Sequence, residues 1–252
     1  MEMHHKTLIS VRIRVNELLD ATFHDVDADF EQNTVSVTRR TFSLPSLQLL
    51  MLSIHFPNLR YYDSPADVSH IHTGACLDTI TAAPSSEVLK VEWDSHKQYH
   101  VRDDSQGKKI FLDSVVGFAE RNCLSSKTFT ELSLLRIPFV DKELVQVLRV
   151  VPHITRLRIW EGGNSRYPDA LTPSFAEQMT LSSELNDDTR GLVPKLRYLS
   201  LIFPSSYWVD YTNFVEMLRS RIGRLSFVYI RSDASFEKLS ELAQEGLEIQ
   251  TV

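Results

Sequence analysis

Apolar positions along this chain of 252 residues recur in two rhythms that follow each other repeatedly. One is the spacing i, i+3, i+4, i+7, which puts an apolar stripe on one side of a helix. The other is a short alternation, L-x-L, which buries one face of a strand. A proline or glycine usually stands between the two. Leu144, Val147, Leu148 and Val151 carry the helical spacing, and Pro152 ends it. Asp141 is placed to cap that helix. Tyr211, Phe214, Val215, Leu218 and Ile222 repeat the spacing before Gly223, as do Phe236, Leu239 and Leu242 before Gly246. Leu47, Leu50, Met51 and Ile54 fit it before Pro57, with Pro45 suited to a first helical position. Residues 8–13 and 35–37 read as strands with a short helix over 15–22 between them, and Leu247-Glu248-Ile249 reads as a closing edge strand.

The strand segments resemble one another. Pro152-His153-Ile154-Thr155-Arg156-Leu157-Arg158-Ile159 and Pro194-Lys195-Leu196-Arg197-Tyr198-Leu199-Ser200-Leu201 share P-x-(L/I)-x-x-L-x-(L/I), and Pro57-Asn58-Leu59-Arg60-Tyr61-Tyr62 keeps the first half. Phe129-x-x-Leu132-x-Leu134, Leu225-x-x-Val228-x-Ile230, and Leu89-x-Val91 after Pro84 are weaker copies. The step from Leu132 to Leu157 is 25 residues and from Leu199 to Val228 it is 29, at or near the leucine-rich-repeat range of roughly 20–29. The longer step of 42 from Leu157 to Leu199 places the excess in residues 162–191, read as a surface loop around one helix. The polar stretch 95–109 reads as a second surface loop. The pattern predicts one α/β domain over residues 1–252: an irregular leucine-rich-repeat-like solenoid, with a curved parallel sheet and helices on its convex side. Leu132, Leu157, Leu199 and Val228 then occupy equivalent buried positions on neighbouring strands. The rival is a doubly wound sheet, which alternates strand and helix in the same way. Its usual phosphate-binding turn has no counterpart here, because none of the eight glycines falls in a G-x-G-x-x-G or G-x-x-x-x-G-K spacing.

The segment Pro194 to Leu201, the helix after it, Arg224-Leu225, and Leu242-Ala243-Gln244-Glu245-Gly246-Leu247-Glu248-Ile249 together resemble the C-terminal region of F-box/leucine-rich-repeat proteins of mushroom-forming fungi. Asp169-Ala170-Leu171-Thr172-Pro173 is similar as well, so the resemblance spans about residues 127–252. It implies repeats that recruit the substrate of a ubiquitin ligase, with an N-terminal F-box docking on a Skp-type adaptor. An F-box opens with a Leu-Pro pair. Here Leu44-Pro45 is followed by what reads as a repeat helix, so adaptor binding is expected only if an F-box lies upstream. The asparagine that closes many leucine-rich repeats is also replaced. Gly162, Pro204 and Asp233 stand three residues after Ile159, Leu201 and Ile230, and irregular repeats are expected.

Composition narrows the partner. The formal net charge is −6 and the isoelectric point about 5.8, which speaks against a general grip on nucleic acid, though not against a local basic patch. Two cysteines form no disulfide framework and fit a reducing, intracellular setting, cytoplasmic or nuclear. No apolar run reaches the roughly 20 residues that span a bilayer, so no membrane partner is expected, and the start shows no signal peptide.

Candidate chemistry is sparse. His70 and His72 with Cys76, and Asp67 as a fourth group, form the most metal-like cluster, but the ligand set is incomplete and no metal or cofactor is expected. His96 and His100 lack the H-E-x-x-H context, His4-His5 is too short to mean anything, and no G-x-S-x-G elbow exists. Neither cysteine has a neighbour that would activate it. The outward positions of the strands say more, because side chains alternate. They carry Val88, Lys90 and Glu92, then Glu131, Ser133 and Leu135. The next three strands carry Arg156, Arg158 and Trp160; Tyr198, Ser200 and Ile202; and Phe227, Tyr229 and Arg231. Arginine beside aromatic side chains is the composition of interface hot spots. Arg156, Arg158, Trp160, Tyr198, Phe227, Tyr229 and Arg231 are therefore the expected contact residues for a protein partner. Their other possible role is to pack on one another or beneath residues 162–191. Binding rather than catalysis is expected; the alternative is a small-molecule enzyme on the doubly wound fold.

Overall fold

The structure, a computed structural model, describes residues 10–14, 42–44, 46–55, 74–94, 106–123, 128–137, 139–161, 170–181, 191–203, 212–231 and 237–251. Its centre is an eight-stranded sheet made of β1 (Ser10–Arg14), β3 (Leu49–His55), β5 (Val88–Asp94), β6 (Glu131–Leu135), β7 (Arg156–Trp160), β8 (Tyr198–Ile202), β9 (Phe227–Arg231) and β10 (Glu248–Thr251). Every pairing in it is parallel, and the strands stand side by side in chain order with no reversal. β2 (Phe42–Ser43) and β4 (Ile80–Ala82) form a separate parallel pair. Five helices are described: α1 (Gln106–Cys123), α2 (Asp141–Val150), α3 (Pro173–Met179), α4 (Thr212–Arg219) and α5 (Glu237–Gln244). Each packs on the next along the chain, and residues 74–79 are helical as well.

Register turns the repeat into rows of side chains. Val11, Leu50, Leu89, Leu132, Leu157, Leu199, Val228 and Ile249 are consecutive cross-strand partners. The four positions expected to be equivalent, Leu132, Leu157, Leu199 and Val228, are therefore neighbours, and all four are buried. Two residues on, Leu52, Val91, Leu134, Ile159, Leu201 and Ile230 form a second buried row. These rows join Leu144, Val147 and Leu148 of α2, Phe175 and Met179 of α3, and Phe214 and Leu218 of α4 in one core. Burial of this apolar face is the main favourable term holding the sheet to its helices. The rows between are half-buried or exposed in most strands: β7 alternates exposed, buried, exposed, buried, half-buried.

A shared turn sets the phase of each strand. Leu47, Ser86, Ile154 and Leu196 donate their amides to the carbonyls of Leu44, Ala83, Val151 and Val193, three residues back. In sequence the second residue of each turn is Pro45, Pro84, Pro152 or Pro194. Proline suits that position because its fixed φ matches the turn. The residue before each strand then offers one carbonyl to two amides of the next repeat. Thr130 accepts from Thr155 and Arg156, Thr155 from Arg197 and Tyr198, and Arg197 from Ser226 and Phe227.

Several expectations need correction. Leu47, Leu50, Met51 and Ile54 do not mark a helix; residues 49–55 are β3, and its turn begins at Leu44. An unbroken apolar run satisfies both periods, and the offset of five from Pro45 to Leu50, the same as from Pro152 to Leu157, was the better guide. The polar stretch 95–109 is not all loop, since α1 starts at Gln106 and Lys108 is buried against Glu143 with Nζ–Oε2 at 3.0 Å. That 18-residue helix was not anticipated. Asp141 is the first helical residue rather than the cap. Val140 holds the cap position, and its amide donates to Glu143 Oε2 at 2.8 Å. Residues 162–191 are more than surface, because Ala170, Leu171, Phe175, Ala176 and Met179 belong to the core. Thr172 caps α3 by accepting from the Phe175 amide, and its hydroxyl donates to Asp141 at 2.9 Å. The Pro57–Tyr62 segment, the helix at 15–22 and the strand at 35–37 lie outside the described residues.

Candidate binding face

The outward rows of β5 to β10 build the face. Nearest the strand starts run Val88, Glu131, Arg156, Tyr198, Phe227 and Glu248. The middle row is Lys90, Ser133, Arg158, Ser200, Tyr229 and Gln250, and the third is Glu92, Leu135, Trp160, Ile202 and Arg231. All seven expected contact residues are thus on three adjacent strands and on one side of the sheet. The described helices pack with the other side, in the core that holds the inward rows.

Three of the seven, Arg158, Tyr198 and Phe227, contact one another. Tyr198 and Phe227, direct cross-strand partners, stack with ring centroids 4.9 Å apart at 15°. The Arg158 guanidinium lies 5.6 Å from the Tyr198 ring centroid, and Arg136, just after β6, lies 3.9 Å over Trp160. Arg136 has positive φ, 59°, and its amide donates to the Trp160 carbonyl at 2.5 Å, so a turn residue outside the strand repeat helps to hold the tryptophan. Its role was not legible from strand alternation. Arg156, Arg158 and Arg231 are exposed, whereas Trp160, Tyr198, Phe227 and Tyr229 are half-buried. Serines 133 and 200 are buried between larger neighbours, with Arg158 between them in register.

Charge on this face changes sign along the sheet. Lys90 pairs with Glu92 at 2.9 Å on β5. Glu131 lies 3.8 Å from Arg156 and 3.7 Å from Arg158, and accepts from the Ser133 hydroxyl at 3.3 Å. On the β8 side, Arg158 meets the Tyr198 ring instead of a carboxylate. At the starts of β7, β8 and β9 the surface opens into a groove of about 950 Å³, whose lining includes Arg156, Lys195, Arg197, Arg224, Tyr198 and Phe227.

Of the metal-like cluster, Asp67, His70 and His72 lie outside the described residues, as do His4, His5, His96 and His100. Cys76 is a half-buried free thiol, and burial pushes its pKa up, which opposes a reactive thiolate. Among the described residues no three His, Cys, Asp or Glu side chains converge as metal ligands, and no helix is long and apolar enough to cross a membrane. No protein-family model, no curated protein and no solved structure matches the chain.

Proposed function

We propose that the chain is a leucine-rich-repeat-like solenoid that binds a protein partner on the outward face of its C-terminal strands, and that it works by recognition rather than catalysis. One observation carries this reading. Eight parallel strands lie in chain order, and the face opposite the helical core presents arginines and aromatic rings on β7, β8 and β9. A doubly wound enzyme sheet is covered by helices on both faces and binds its ligand where the strand order reverses. Neither feature occurs among the described strands, which favours the repeat reading over the small-molecule enzyme. The resemblance of residues 127–252 to fungal F-box/leucine-rich-repeat proteins supplies the biological setting: substrate-recognition repeats of a ubiquitin-ligase receptor, or of a relative without the docking module. Skp-type adaptor binding belongs to this proposal only if an F-box lies upstream.

The test is affinity capture from the source cell with wild-type protein and with Trp160→Ala and Tyr229→Ala, followed by titration of the captured partner. Hot-spot truncation is expected to weaken binding by about 2 kcal/mol or more while each variant melts close to wild type. Unchanged affinity in both variants would remove the face as the site. Binding lost only in variants that also unfold would assign these rings to packing.

A further inference from the structure

We propose that the groove at the starts of β7, β8 and β9 is a docking site for a short acidic peptide segment of a partner protein, one carrying spaced Asp or Glu residues and an apolar or aromatic side chain. The proposal deepens the reading of the C-terminal half as an interaction surface and rests on it.

The charge of the groove is opposite to that of the chain. Lys195, Arg197 and Arg224 are exposed, Arg156 is 60% exposed, and no carboxylate is among the described residues that line the groove, although the chain as a whole carries −6. Four cations line one cavity of about 950 Å³, and although Glu131 lies 3.8 Å from Arg156, their concentration there favours the entry of an anionic group. Arginine is suited to that group, since its planar fork pairs with a carboxylate through two hydrogen bonds. The amides of Arg197, Tyr198, Ser226 and Phe227 already donate to the carbonyls of Thr155 and Arg197. Those four amides are engaged, so recognition beside them falls to the side chains. The stacked rings of Tyr198 and Phe227 form an apolar platform beside the cations. A segment with both acidic and apolar side chains matches both parts.

A peptide fits better than a nucleic acid. A polyanion continuing along the sheet toward β6 and β5 meets Glu131 and Glu92. At the other edge it meets Glu248, partner of Phe227. The positive region is bounded on both sides, which limits the number of anionic groups that can bind together and disfavours a long phosphate backbone.

The experiment is fluorescence anisotropy with a labelled twelve-residue peptide alternating Glu or Asp with Phe and Leu. The controls are its Gln/Asn counterpart and a labelled single-stranded oligonucleotide. The acidic peptide is expected to bind saturably, the amide peptide at least tenfold more weakly, and raising salt from 50 to 300 mM is expected to weaken the acidic complex. Arg197→Glu combined with Arg224→Glu is expected to lower affinity at least tenfold, while Lys142→Glu, exposed on α2 and outside the groove, leaves it within about twofold. The peptide controls decide the matter even if the double variant misfolds. No saturable binding up to 1 mM, equal binding of the amide peptide, affinity retained in a folded double variant, or tighter binding of the oligonucleotide would each overturn the proposal. Loss of peptide binding in Trp160→Ala alone would return the site to the open face. A captured partner that needs Trp160 and Tyr229 but ignores the groove variants would leave the face reading standing and sink this one.

Discussion

The guanidinium of Arg221 closes on the carbonyl of Met179 through two hydrogen bonds, Nε at 2.9 Å and Nη2 at 2.6 Å. Met179 is the last residue of α3, where helix carbonyls lack intrahelical partners and the helix dipole favours a cation. The same side chain donates to the carbonyls of Leu192 at 2.6 Å and Val193 at 3.1 Å. It thereby ties both ends of the segment between α3 and β8 to the turn after α4. Val193 is a β-branched residue at φ 45°, and its carbonyl also receives the Leu196 amide. That backbone is costly unless its surroundings hold it. Burial, then the nearby Arg224 charge, push the Arg221 pKa down to about 10, which still leaves it protonated at neutral pH.

Arg221→Met is therefore expected to lower stability by about 3 kcal/mol, since it removes the desolvated charge but leaves buried carbonyls without a donor. Arg221→Lys is expected to lose nearly as much, because one ammonium cannot bridge the two backbone segments as a planar fork does. Thermal melts of both variants check this, with a shift of about 2–4 °C per kcal/mol for a chain of this size. A loss below about 1 kcal/mol in Arg221→Met would show that the clamp is not needed.

Leu157→Ala and Leu199→Ala are each expected to cost about 2–5 kcal/mol. Both side chains are fully buried, and they are direct partners in the same row. Because they are neighbours, the double variant should depart from the sum of the two single losses, and urea melts of all three measure the departure. A loss under about 0.5 kcal/mol in either single variant is the size of a surface change and would deny its place in the core.

How much of this was legible in the sequence follows from these residues. The rows through Leu132, Leu157, Leu199 and Val228 could be read because an inward leucine two positions from the next leaves a period-two trace after a proline. β3 was lost because an apolar run with hydrophobic residues on both faces satisfies the helical spacing too. α1 was missed although Phe111, Val115, Phe118 and Asn122 recur at i, i+4, i+7 and i+11, because the polar residues at its start looked like a loop. The seven outward residues could be placed by alternation alone. Arg221 could not, since a guanidinium satisfied only by distant carbonyls leaves no pattern in its own neighbourhood of the chain. The groove likewise depends on Lys195, Arg197 and Arg224, which sit before their strands rather than in the outward positions.

Glu131 sits at the boundary between the acidic and basic parts of the face. Its two oxygens lie 3.8 Å from Arg156 and 3.7 Å from Arg158, longer than a well-formed charged hydrogen bond. Both arginines are about half exposed or more, so solvent screens the pairs and each contributes little to stability. Glu131→Gln is accordingly expected to shift stability by no more than about 0.5 kcal/mol. Its effect on binding should be larger and opposite in sign to that of a lost contact. The carboxylate competes with an acidic partner for Arg156, which lines the groove, and for Arg158, which faces the Tyr198 ring. Removing it raises the local positive charge by one. The acidic peptide should then bind several-fold more tightly, with faster association and a steeper dependence on salt. Stopped-flow association at three salt concentrations separates this from a packing effect, which would act mainly on dissociation. Weaker binding of the acidic peptide to a folded Glu131→Gln protein would mean that the carboxylate orders the arginines for their ligand rather than competing with it.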